Sequence, residues 1–114
     1  MRGPEEAILL RAFIGEDDKY GGLPLYEAIV LKAREMHLAG ATVLRGPIGF
    51  GHSNRIHTAK ILRLSFDLPI IVEIVDTQQQ IDKFLPFLDE LMSTGIVTIE
   101  KVGVMRYDRS ERQR

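Results

Sequence analysis

The sequence predicts an α+β domain in which a four-stranded antiparallel sheet carries two helices on one face. Three observations predict it. Four short apolar runs with β-branched members alternate with two stretches whose apolar residues recur at three- and four-residue steps. Their order along the chain is strand, helix, strand, strand, helix, strand, which makes two split β-α-β units. No repeat, linker or low-complexity segment interrupts them, and 114 residues of which 45% are hydrophobic suffice for one core but not two, so residues 1–114 form one domain.

The first strand is residues 7–14, an apolar run with Ile8, Phe13 and Ile14, closed by a polar loop from Gly15 to Gly22. Pro24 is tolerated in a first helical turn, and Leu25, Ala28, Ile29, Ala33 and Met36 follow at helical spacing up to a stop at Gly40. Thr42-Val43-Leu44 opens a second strand that runs into Gly46-Pro47-Ile48-Gly49-Phe50-Gly51-His52-Ser53-Asn54, where glycine prevents regular pairing and a loop must leave the sheet. Residues 56–67 show no settled period. The almost wholly β-branched run Pro69-Ile70-Ile71-Val72-Glu73-Ile74-Val75 is the strongest strand signal and is taken as central.

Thr77 with Gln80 makes a capping-box pattern, and Ile81, Phe84, Leu85, Leu88, Leu91 and Met92 continue at helical spacing until Gly95. Pro86 inside this stretch removes one backbone hydrogen bond, so a bend or an earlier end is expected. Residues 96–105 form the last strand, with Val97, Ile99 and Lys101 on one side and Thr98, Glu100, Val102 and Val104 on the other. The whole is the ferredoxin-like arrangement, with both helices on one face. The other face is partly apolar and uncovered, and self-association into a closed ring covers it most economically.

Composition excludes several classes of function. With no cysteine there is no disulfide framework, thiol nucleophile or Cys-based zinc site. Fifteen basic against sixteen acidic side chains give a net charge of −1, so any anion binding is local and nucleic acid is not an expected partner. The sheet also lacks the paired aromatics of RNA-recognition domains. No apolar run approaches the roughly 20 residues of a membrane span and the acidic start has no signal-peptide core, so a soluble cytoplasmic protein is expected. Residues 108–114 read as a frayed, solvated tail.

The second strand and its loop resemble a known family. Arg45-Gly46-Pro47-Ile48-Gly49-Phe50-Gly51-His52-Ser53 is similar to the K-G-F-G-R-Q segment that opens the mobile T-loop of PII signalling proteins, and His57-Thr58 resembles the H-T of that loop. The stretch from Asp67-Leu68-Pro69 to Asp76 resembles the F-L-P-K-V-K-I-E-I-V-V strand, and the stretch from Thr94-Gly95 to Val102 matches T-G-K-I-G-D-G-K-I in length. Leu10-Arg11-Ala12-Phe13-Ile14-Gly15-Glu16 and Pro24-Leu25-Tyr26-Glu27-Ala28-Ile29-Val30 look more like the short PII-like proteins grouped as a domain of unknown function.

The resemblance implies a homotrimer with an adenine nucleotide (ATP, ADP or AMP) or similar effector in each inter-subunit cleft. It further implies a mobile loop over residues 49–66 for docking a protein or membrane-transporter partner, with no required cofactor. Thr98-Ile99-Glu100 stand where the family has G-D-G, adding bulk and negative charge where glycine backbone approaches phosphate. The tyrosine that PII proteins present for modification is absent.

The candidate ligand-binding residues are therefore Gly46, Gly49, Phe50, Gly51, His52, Ser53 and Lys101. Glycine lets backbone N–H groups converge on an anion, Lys101 falls where the family's last lysine meets phosphate, and Phe50 offers a stacking face. The alternative is a divalent-metal-binding trimer resembling divalent-ion-tolerance proteins, with His52 and His57 as ligands. Neither H-E-x-x-H spacing, a Ser-His-Asp ordering nor a complete P-loop occurs, Glu73 reads as an interface or paired carboxylate, and His37 only ends a helix, so no enzyme is expected.

Overall fold

The computed structural model describes residues 3–47, 49 and 68–107. The expectations placed on Phe50, Gly51, His52, Ser53 and His57, and on the tail, lie outside the described residues. β1 is Glu5–Gly15, α1 Leu25–Glu35, β4 Ala41–Arg45, β5 Pro69–Asp76, α2 Gln78–Leu91 and β6 Ile96–Val104, with a small hairpin whose β2 (Lys19–Tyr20) falls in the expected polar loop and whose β3 (Leu23–Pro24) follows it, so that Pro24 precedes the helix and is not in its first turn. β4, β5, β1 and β6 lie side by side in that order, and every pairing is antiparallel. The ferredoxin-like arrangement expected from the element order is the one observed.

The pleat decides the core. Alternate residues Ile8, Leu10, Ala12 and Ile14 of β1 pair with Asp76, Ile74, Val72 and Ile70 of β5, and all but Asp76 are buried beneath the helices. Leu25, Ile29 and Ala33 of α1 and Ile81, Phe84 and Leu88 of α2 close over them. The other face keeps Leu9, Phe13, Ile71 and Val75 without a covering layer among the described residues.

α1 ends at Glu35 and is closed by His37, not by Gly40. The His37 N–H donates to Arg34 O and the Leu38 N–H to Ala33 O, both at 3.0 Å, the pattern of a Schellman end. His37 takes the left-handed conformation that glycine usually supplies, with φ at 60°. Leu38 then packs against the core. α2 begins where Thr77 accepts from the Gln80 N–H at 3.2 Å, but the Thr77 N–H donates to Asp76 Oδ1 at 2.7 Å, so the reciprocal half of the capping box is replaced. The helix runs through Pro86 and ends at Leu91, well before Gly95. Gly95 instead forms the turn into β6 with φ at +114°, a region that side chains avoid.

Candidate functional site

A groove of about 430 Å³, a volume that suits a small ligand, lies at one end of the uncovered sheet face. By register its floor is one face of four strands: Thr42 of β4, Glu73 and Val75 of β5, Ala7 of β1 and Val104 of β6. Ala39 and Gly40 wall it beyond β4; Met105, Arg106 and Tyr107 wall it beyond β6. Asp76 holds the first wall, because its Oδ2 accepts from the Ala39 N–H at 2.8 Å while Oδ1 takes the Thr77 N–H. Arg106 lies 3.7 Å from Glu5 across the second. An apolar floor with a hydroxyl, a carboxylate and a guanidinium at its margin suits a flat ligand that presents N–H or O–H donors on one side and an anionic group on another.

Glu73 does not stand alone in this floor. Its Oε2 accepts from Arg11 Nε at 2.9 Å, and Arg11 Nη1 donates to Glu100 Oε1 at 2.7 Å. The strands impose the cluster: Arg11 is opposite Glu73 on one side and Thr98 on the other, and Glu100 is the next residue along β6 on the same face. Hydrogen bonding to Glu73 first and to Glu100 second raises the Arg11 guanidinium above its ordinary pKa, outweighing a small opposing desolvation. The expectation of a paired carboxylate at Glu73 holds, and its position in a groove adds what the sequence did not show.

The glycine-rich loop base sits at the opposite end of the sheet. The Gly46 N–H donates to Pro69 O at 2.8 Å, extending the β4–β5 ladder by one bond. A Cβ on Gly46 would lie 2.9 Å from Pro69 Cγ, and one on Gly49 would lie 3.1 Å from it, so both glycines lie against that ring. Arg45 pairs with Glu16, whose N–H donates to Leu68 O at 2.8 Å. Asp18 closes the neighbouring turn by accepting from the Gly15 N–H at 2.9 Å. The Gly46 N–H is thus committed to the sheet, and the glycine there serves close approach to Pro69.

Lys101 is opposite Ile8, which places it on the helix-side face of β6 and not the groove side. It lines a shallow depression with Pro4, Glu5 and Glu6. Gly46 and Gly49 are at the far edge and far end of the sheet from Lys101, so one chain does not bring these expected ligand residues together. Reading along the chain missed the groove because Thr42, Glu73, Val75 and Arg106 belong to separate elements. The available signal was alternation: Thr42, Glu73 and Val75 all fall on the pleat face that the helices leave open.

The family described as "Uncharacterized ACR, COG1993", DUF190, matches residues 7–104. A UPF0166 protein of Aquifex aeolicus is 37% identical over 99 residues, covering 85% of this chain and 91% of that relative. Among solved structures, CPII from Thiomonas intermedia K12 bound to ADP and bicarbonate superposes with a TM-score of 0.62 at 17% identity, covering 90% of this chain and 91% of that one. Divalent ion tolerance protein CutA1 from Ehrlichia chaffeensis gives a TM-score of 0.57 at 10% identity over 94% of this chain and 89% of that one. At such identities the two structures establish the fold.

Proposed function

Because the chain belongs to the DUF190 family and has the ferredoxin-like fold of PII-like proteins, we propose that it is a regulatory binding protein, not an enzyme. It binds an adenine nucleotide or similar small effector between the subunits of a homotrimer. The observation that carries the reading is the placement of the groove and the glycine loop base at opposite ends of one sheet. Pro69 to Val75 along β5 spans about 20 Å at roughly 3.3 Å per residue. Two partial sites that far apart on one chain meet only when one copy's groove faces the next copy's loop base. Such a head-to-tail contact is heterologous and closes into a ring, which also covers the open sheet face.

In this reading the base and ribose lie in the groove against Val75, Thr42 and Glu73. The phosphates run toward Gly49, Phe50, Gly51, His52 and Ser53 of the neighbour, past Gly46, whose N–H is already taken by Pro69 O, with Lys101 as a further phosphate contact from a copy other than the one that supplies the glycines. The partner, a protein or a membrane transporter, docks through the segment that follows Gly49. ADP bound to CPII supports the ligand class. Calorimetric titration with ATP, ADP and AMP tests it: one of them binds the wild type, and Val75→Glu, which puts a carboxylate in the groove floor, weakens binding by about tenfold or more. Absence of heat with all three overturns the ligand class, and sedimentation at the 12.9 kDa chain mass overturns the shared site. Divalent-metal binding shares the fold likeness to CutA1, and its expected ligands His52 and His57 lie outside the described residues.

A further inference from the structure

Arg11 joins two parts of the molecule that have separate tasks in the reading above. Through Nε it holds Glu73, which belongs to the groove floor. Through Nη1 it holds Glu100, which lies outside the groove, on the uncovered face of β6. Leu9, Phe13, Ile71 and Val102 share that face around the cluster. The Arg11, Glu73 and Glu100 side chains are 34%, 30% and 56% exposed, so the cluster is hydrated in a single chain and loses water when the face is covered.

We propose that Arg11 is the positioning residue of the groove and makes ligand binding at Glu73 depend on the state of Glu100. The cluster holds two carboxylates and one cation, so Glu73 and Glu100 compete for the same guanidinium. A guanidinium presents its donors in a rigid planar fork, and it does not follow one carboxylate without altering its hold on the other. A ligand that offers a nucleobase amine or a ribose hydroxyl to Glu73 shares that carboxylate with Arg11. When Glu100 takes more of Arg11, Glu73 accepts from the ligand more freely. When Glu100 is lost, Arg11 turns wholly onto Glu73 and competes with the ligand. Covering the sheet face with a second copy lowers the local dielectric and sharpens this competition, so groove occupancy and assembly become linked, each affecting the other by the same factor. The choice of ligand rests on the nucleotide reading above; the Arg11 contacts do not.

A cycle of variants of the full chain, titrated calorimetrically with ADP, tests the inference. Glu100→Gln leaves every groove residue in place and weakens ADP by about threefold or more; with Arg11→Met already present, the same change alters ADP affinity by less than about 1.5-fold, because the connection is cut. Equal effects in the two backgrounds, or no effect in either, overturn the proposal. Arg11→Leu, which also removes the shared cation, serves if Arg11→Met does not fold, with the same two outcomes. If the wild type takes up no ADP, the nucleotide reading fails by itself and the carboxyl carbon resonance of Glu73 decides the Arg11 role. Glu100→Gln shifts that resonance when Arg11 is present and leaves it unmoved beside Arg11→Met; equal shifts in both overturn the proposal.

Discussion

Replacing Gly95 with alanine should be among the most damaging single-methyl changes in this chain. Two separate costs arise at this turn between α2 and β6. The first is conformational: with φ at +114° the backbone occupies a region that residues with a Cβ avoid, at a cost of about 1–3 kcal/mol. The second is steric. The new Cβ would meet Phe13 O at 2.8 Å, Met92 Cε at 2.9 Å and Ile14 Cγ2 at 3.3 Å. The methionine end can swing away, but the carbonyl of Phe13 belongs to the β1–β6 ladder, in which Phe13 pairs with Ile96, and moving it costs about 1–3 kcal/mol more. Together Gly95→Ala should cost about 2–6 kcal/mol, against a total of about 5–15 kcal/mol for a small domain. Gly22→Ala is the control, because nothing lies within 4 Å of the Cβ it would carry. Urea denaturation of both variants at one fixed protein concentration, which holds any assembly contribution constant, gives the comparison. If Gly95→Ala unfolds within about 0.5 kcal/mol of the control, the reasoning from φ and the Phe13 carbonyl is wrong.

Gly46→Ala should push the end of β4 from Pro69 and speed hydrogen exchange at the residue 46 amide, since its Cβ would lie 2.9 Å from Pro69 Cγ; unchanged protection there would contradict the close approach. Lys101→Ala should weaken ADP by about tenfold while changing stability by under about 0.5 kcal/mol, as expected for an ammonium meeting phosphate from an exposed strand position. Binding within about twofold of wild type removes Lys101 from the site. Lys32 donates to Glu35 at 2.8 Å, and that hydrogen bond, with the attraction of the charge, holds the Glu35 carboxyl below its ordinary value. A lowered folded value stabilises the protein above the unfolded carboxyl pKa of about 4.3 and loses that contribution as acid titrates through the folded value. Glu35→Gln should therefore flatten the fall in urea midpoint between about pH 5 and pH 3; a slope identical to that of the wild type would rule out the pair's contribution.

Much of the fold was legible in the order of residues because its causes are local. The almost wholly β-branched run from Pro69 to Val75 specifies a strand, and the pleat of a strand turns Ile70, Val72 and Ile74 one way, the residues buried under the helices. The three- and four-residue steps of Ile81, Phe84 and Leu88 likewise specify the buried stripe of α2, and Thr77 caps it as its spacing to Gln80 predicts. Helix ends were less legible. α1 is closed at His37 because two hydrogen bonds and the packing of Leu38 select a left-handed residue there, and Gly40, a better local candidate, comes too late to supply it. Pro86 does not end α2, which has its buried stripe of Ile81, Phe84 and Leu88 against the core on either side of that residue.

The site depended on tertiary structure. Gly46 and Lys101 are prominent in the sequence for their types and neighbours, yet the strand order β4, β5, β1, β6 places them at opposite edges of the sheet. Thr42, Glu73, Val75 and Arg106 have no common motif, and only lateral pairing of four strands brings them around one groove. Arg11 shows the same division. The sequence alone determined that a charged residue alternates with apolar ones in β1. Its partners Glu73 and Glu100 lie far away in the chain, and the antiparallel registers of β5 and β6 set them on either side of it, because hydrogen-bonded backbones a few ångströms apart align side chains regardless of their distance in sequence.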